Sequence, residues 1–80
     1  MKTKEQIAME YLSPRMEATA MMVGKAILEE YEGKVGSNYS SVGAAILGRL
    51  RYLGLVYKLP ELNAWRLTKE GREKLQSAKG

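Results

Sequence analysis

Apolar residues recur along the first two-thirds of the chain at spacings of three and four, the pattern of helices buried on one side. Ile7, Ala8, Tyr11 and Leu12 form one such face and predict a short helix over Lys4–Leu12. Ser13-Pro14 ends it. The same pair can open the next helix, because serine caps and proline accepts the first helical position. From Pro14 to about Tyr31, the residues Met16, Ala20, Val23, Ile27 and Tyr31 make a continuous stripe. Thr19 is the alternative start, since threonine also caps. Gly33 is the expected stop, and Glu32–Tyr39, rich in Gly, Ser and Asn, reads as a loop. Ser40 or Ser41 then caps a third helix that reaches Leu53 with Gly43, Ile46, Leu47 and Leu50 on its buried side. Gly54 closes it.

After Gly54 the period changes. Leu55–Leu59 is rich in β-formers, Pro60–Asn63 has turn chemistry, and Ala64–Thr68 returns as a second strand. Alternation places Trp65 and Leu67 on one face and Arg66 and Thr68 on the other. A lone hairpin is marginal in water, so this one must dock on the helices, with Trp65 as its anchor. Thr68 caps a final helix over Lys69–Ala78 with Leu75 pointing inward, and Ser77–Gly80 is expected to fray. The expected fold is α+β and mainly α: three helices, a two-stranded hairpin and a short C-terminal helix in one domain. Met9, Met16, Met21 and Met22 are read as fillers of an irregular core rather than as a binding groove.

Composition narrows the chemistry. The 80 residues contain no histidine, cysteine, aspartate or phenylalanine. Ser-His-Asp and Cys-His arrangements are therefore impossible, as is a zinc site of His and Cys ligands. No catalysis, cofactor or metal is expected. The longest uncharged apolar runs, Ala18–Gly24 and Val42–Gly48, are far too short for a membrane span. Met1–Gln6 leads into no signal core, and a cytoplasmic location is expected. The net charge of +4 is unevenly spread. Residues 1–40 hold five basic side chains against six glutamates, whereas residues 41–80 hold eight against three. A basic half is the footprint of a phosphate-binding face.

The segments Leu50-Arg51-Tyr52-Leu53-Gly54-Leu55-Val56 and Trp65-Arg66-Leu67-Thr68-Lys69-Glu70-Gly71-Arg72 resemble the winged helix superfamily. There the recognition helix ends in a leucine-rich turn and "GLV", and the wing returns through "RLT" toward "EGR". The resemblance covers Ser40–Leu75 well and Thr19–Leu28 more weakly. It implies a double-stranded DNA-binding regulator, with helix 40–53 in the major groove and two copies reading two half-sites as a homodimer. Ser41, Ala45, Gly48 and Tyr52 form the outward face of that helix, flanked by Ala44, Arg49 and Arg51.

The candidate DNA contacts are Tyr39, Ser40, Ser41, Ala45, Arg49, Arg51, Tyr52, Lys58 and Arg66, with Arg49 foremost. The wing tip, Leu59–Ala64, carries Glu61 and no basic residue, which leaves Lys58 and Arg66 on the strands as the wing's candidates. Gly48, kept small on an exposed face, points to something that approaches closely. Lys69, Arg72 and Lys74, interleaved with Glu70 and Glu73, read as a salt-bridged solvent face. The same small-residue helix and a wing tip without a basic residue also suit a protein-interaction module. RNA binding fits less well, because no aromatic stacking platform is evident.

Overall fold

The computed structural model describes residues 2–31 and 38–79. They form α1 (Lys4–Leu12), α2 (Ala20–Tyr31), α3 (Tyr39–Tyr52), β1 (Val56–Leu59), β2 (Ala64–Leu67) and α4 (Lys69–Lys79). This is the expected mainly helical α+β layout, with the hairpin between the third and fourth helices. The segment around Gly33, with the expected helix stop and most of the Glu32–Tyr39 loop, lies outside the described residues.

α1 has the predicted bounds. Thr3 caps it, its hydroxyl accepting the Gln6 N–H at 3.0 Å, and Ile7, Ala8, Met9 and Leu12 are buried. Thr19, not Ser13-Pro14, caps the start of α2: the Thr19 hydroxyl accepts from Met22 N–H at 3.3 Å. The reason is a non-local pairing. Ala18 exchanges two main-chain hydrogen bonds with Trp65, at 3.1 and 2.8 Å, and so covers the edge of β2 that faces away from β1. An extended residue at position 18 cannot also be helical, and the bridge satisfies polar groups that burial of Trp65 would otherwise strand. Met16 therefore falls off the helical stripe and is 75% exposed. Met21 and Met22, on the outer side of the first turn of α2, are exposed as well. Of the four methionines expected in the core, only Met9 is there.

α3 begins one residue before the expected caps. Asn38 occupies the N-cap position without a side-chain cap bond, so Tyr39, Ser40 and Ser41 are all helical. The buried side is the predicted one: Gly43, Ile46, Leu47 and Leu50. Gly54, at φ +79°, ends the helix with two reversed bonds, Gly54 N–H to the Arg51 carbonyl and Leu55 N–H to the Leu50 carbonyl, both 2.9 Å. This pairing is the Schellman arrangement, and it needs the left-handed conformation that glycine adopts freely. Leu50 and Leu55, both buried, supply its usual apolar contact.

β1 and β2 pair antiparallel with Val56 opposite Leu67, Tyr57 opposite Arg66, Lys58 opposite Trp65 and Leu59 opposite Ala64. The four-residue turn closes through Asn63 at φ 50°, a conformation asparagine tolerates. The core runs from α1 through α2 and α3 to the hairpin and α4. Leu12, Val23, Ile27, Leu47, Leu50 and Val56 are almost fully enclosed, and Trp65, Leu67 and Leu75 close it from the C-terminal side. α4 continues to Lys79, past Ser77, where fraying was expected.

Thr68 ties three segments together. Its N–H donates to the Leu55 carbonyl at 3.0 Å and its hydroxyl donates to the Gly54 carbonyl at 2.8 Å. The same hydroxyl accepts the Gly71 N–H at 3.0 Å, capping α4 as predicted. Thr68→Val keeps the shape and removes both hydroxyl bonds. It is expected to lower the unfolding free energy by about 1–2 kcal/mol, measured by urea denaturation, with Thr68→Ser recovering most of the loss. A Thr68→Val midpoint equal to wild type would show that the cap carries no stability.

Candidate nucleic-acid interface

The outward face of α3 follows from its buried one. With Gly43, Ile46, Leu47 and Leu50 held inside, helical geometry turns Ser41, Ala45, Gly48 and Tyr52 outward, and all four are exposed. Tyr52 stands clear at 90% exposure. Beyond the helix's own adjoining backbone, no described atom lies within 4 Å of where a Gly48 Cβ would be, so the close neighbour suggested by its size is not part of the described chain.

The two flanks of this face differ. Ser40 and Ala44 lie on the side toward the hairpin, and Arg51, seven residues after Ala44, shares their stripe. Between this flank, the start of α2 and the hairpin runs an open groove of about 460 Å³, lined by Thr19, Met21, Ser40, Ala44, Lys58 and Trp65 among others. No carboxylate lines it among the described residues. Lys58 reaches it because it shares the helix-facing side of the hairpin with Val56, and its ammonium sits 5.7 Å from the centre of the Trp65 ring. That distance is within cation–π range and steers an otherwise mobile side chain. Thr19, Met21 and Asn63 line the same groove and were not singled out as contacts. The sequence signals for them were the capping chemistry of Thr19, the turn chemistry of Asn63 and, for Met21, the binding-groove reading of the methionines that was set aside for a core one.

Arg49 occupies the opposite flank. It is exposed and forms an ion pair with Glu5 of α1 at 2.7 Å. Arg66 is separated from the groove by strand alternation. It lies opposite Tyr57 on the outer face of the hairpin, whereas Lys58 lies opposite Trp65 on the inner one. Its guanidinium pairs with Glu17 at 3.0 Å, and the hydrogen bond to Glu17, followed by that to Tyr57, raises its pKa further above the ordinary arginine value. Tyr39 is half-buried at the start of α3, its carbonyl oxygen packed against Gly24. The nine sequence-derived candidates thus do not form one patch. Ser41, Ala45 and Tyr52 lie on the outward face, Ser40 and Lys58 line the groove and Arg51 lies on the flank between them, while Arg49 and Arg66 are each engaged by a glutamate elsewhere.

No protein-family model, curated protein or solved structure matches the chain.

Other cations serve the fold. Arg15 donates to the Tyr11 carbonyl and lies over the Tyr11 ring at 3.8 Å. Arg72 donates to the Ser13 carbonyl at 3.1 Å, fastening α4 to the end of α1. The ion pairs expected among Lys69, Glu70, Arg72, Glu73 and Lys74 do not form among the described residues, and Arg72 turns toward Ser13 instead. Among the described residues there is no helix long and apolar enough to cross a membrane, and no cluster of three or more carboxylates able to hold a metal ion.

Proposed function

We propose that this chain is a winged helix that binds double-stranded DNA as a cytoplasmic, non-catalytic regulator of transcription. α3 enters the major groove, and the hairpin is the wing. The observation that carries this reading is the hairpin-side border of α3. An exposed helix face without a bulky aliphatic side chain adjoins a groove that Lys58 lines and that no carboxylate lines among the described residues, and Arg51 is exposed further along the same side of the helix. Small or polar facing side chains let a helix backbone approach base edges closely, and cations on the rim meet phosphates. The excess of positive charge in the second half of the chain supports the same partner. Two copies on a two-fold site would double the interface.

The test is fluorescence anisotropy of a labelled random duplex titrated across salt concentrations. Binding should weaken steeply with salt, with a slope near −0.9 for each phosphate neutralised. Arg51→Ala and Lys58→Ala should each weaken binding to all sequences and flatten that slope by about one. Absence of binding at low salt would overturn the reading.

One specific feature favours a second reading, that of a protein-interaction module. Met16, Met21, Met22 and Leu62 are exposed, and the wing tip presents Glu61 rather than a cation. Exposed methionines suit adaptable apolar contacts. That reading predicts a protein partner held with weak salt dependence and no affinity for DNA.

A further inference from the structure

Among the described residues, the α1 side of α3 holds an ion pair that its hairpin side lacks. Arg49 Nη1 donates to Glu5 Oε2 at 2.7 Å. The arginine side chain is 67% exposed and its partner only 25%. The carboxylate is the anchored member. Glu5 lies in the first turn of α1, which Thr3 caps. It also stands at the rim of a small, largely apolar recess formed with Met9, Leu50, Leu53 and Leu55, which Lys74 lines as well. The guanidinium is the movable member. It springs from the edge of the outward face of α3, one turn after Ala45, on a long flexible stem. From that root it can lie toward α1 or toward whatever covers the outward face.

A carboxylate and a phosphate accept from a guanidinium in the same forked geometry, so they compete for it. A carboxylate on the same fold competes at high effective concentration, without the entropy cost that a separate molecule bears. We propose that Glu5 is an internal competitor for DNA phosphate, which holds Arg49 against α1 and keeps it out of the contact surface. The inference rests on the DNA-binding reading. It makes DNA affinity depend on the docking of α1: whatever draws Glu5 away from Arg49 strengthens DNA binding, and the coupling is reciprocal. The exposed pair is itself a small contributor to stability, so its loss leaves the fold intact.

A double-mutant cycle separates this from a general charge effect. Wild type, Glu5→Gln, Arg49→Ala and the double variant are titrated against the same random duplex at several salt concentrations, with thermal melts to confirm that each is folded. Glu5→Gln should bind more tightly, with a salt slope steeper by about 0.9, the increment of one further phosphate. Its advantage over wild type should therefore shrink roughly 3.5-fold between about 50 and about 200 mM salt. In the Arg49→Ala background the same substitution should leave the slope unchanged. Equal effects of Glu5→Gln in both backgrounds would mean that the glutamate acts only through bulk charge, and would overturn the competitor. No effect in either background would do the same. Failure of all four proteins to bind at low salt would instead overturn the DNA reading, and the competitor with it.

Discussion

Gly43→Ala is expected to be among the most damaging single substitutions in this protein, although alanine is the better helix former. α2 and α3 cross at backbone contact distance. A Cβ on Gly43 would overlap the Ala20 carbonyl oxygen, and one on Gly24 would overlap the Tyr39 carbonyl oxygen. The two contacts are reciprocal: Ala20 and Gly24 are one turn apart on α2, and Tyr39 and Gly43 are one turn apart on α3. The neighbours are main-chain atoms, which cannot rotate away, so the helices must separate or shear. Val23, Ile27, Ile46 and Leu47 are packed around that crossing and would lose contact as it opens. Overpacking of this kind costs about 1–3 kcal/mol where side chains can yield, and more where they cannot. The gain in helix propensity of about 1 kcal/mol offsets only part of it. A net loss of about 3 kcal/mol corresponds to a melting temperature lower by roughly 12–24 °C in a domain this small. Gly48→Ala is the control, on the same helix. Nothing lies within 4 Å of its Cβ position, and the substitution should stabilise by about 0.5–1 kcal/mol. Thermal and urea denaturation followed by circular dichroism would read both. A Gly43→Ala protein as stable as Gly48→Ala would mean that the helices do not cross at this distance.

The distinction between those glycines shows where the sequence was informative and where it was not. Helical spacing put Gly43 on the buried side and Gly48 on the exposed side, because both follow from local backbone geometry. The cause of the glycine at position 43 lies in Ala20, more than twenty residues away. A glycine on the buried stripe of a helix, with another at position 24 on the helix before it, was the available signal of close approach. The same division runs through the rest of the fold. The bounds of α1, the hairpin and its turn, the cap at Thr68 and the reversal at Gly54 were legible, since each depends on residues close in sequence. The start of α2 was not. Ser13-Pro14 and Thr19 both satisfy the local rules, and the pairing of Ala18 with Trp65 decides between them. The misplacement of Met16 in the core followed from that one ambiguity.

The candidate interface divides in the same way. The outward face of α3 could be read from its spacing. That Lys58 and Arg66 lie on opposite faces of the hairpin was also legible once the strands were aligned, because Lys58 is two residues from Val56 and Arg66 lies between Trp65 and Leu67. The glutamate partners of Arg49 and Arg66 were hidden. Glu5 is 44 residues from Arg49 and Glu17 is 49 from Arg66, separations over which no local pattern carries information. Counting charges along a helix identifies cations, but only the tertiary fold identifies those that are already spoken for.

Trp65→Ala is expected to cost roughly 3–5 kcal/mol, the range for truncating a large buried aromatic. Trp65 is 7% exposed and is the only tryptophan in the chain. Its side chain belongs to the core, while its main chain holds Ala18 on the edge opposite β1. The substitution leaves those main-chain groups in place. What disappears is the apolar surface that keeps a four-residue hairpin strand against the helices, and without it the hairpin is too small to persist alone. The loss should propagate to the residues that the hairpin carries. Lys58 would lose the ring that steers its ammonium, and the groove would lose the wall opposite Ser40 and Ala44. Trp65→Phe retains most of the apolar surface and should recover more than half of the stability. Circular dichroism gives the midpoints, and amide exchange of β1 and β2 reports whether the hairpin has detached before global unfolding. A Trp65→Ala protein within about half a kcal/mol of wild type would mean that the hairpin is held by its turn and main-chain pairing alone. In that case the groove between hairpin and α3 would be a consequence of strand pairing, not of the core.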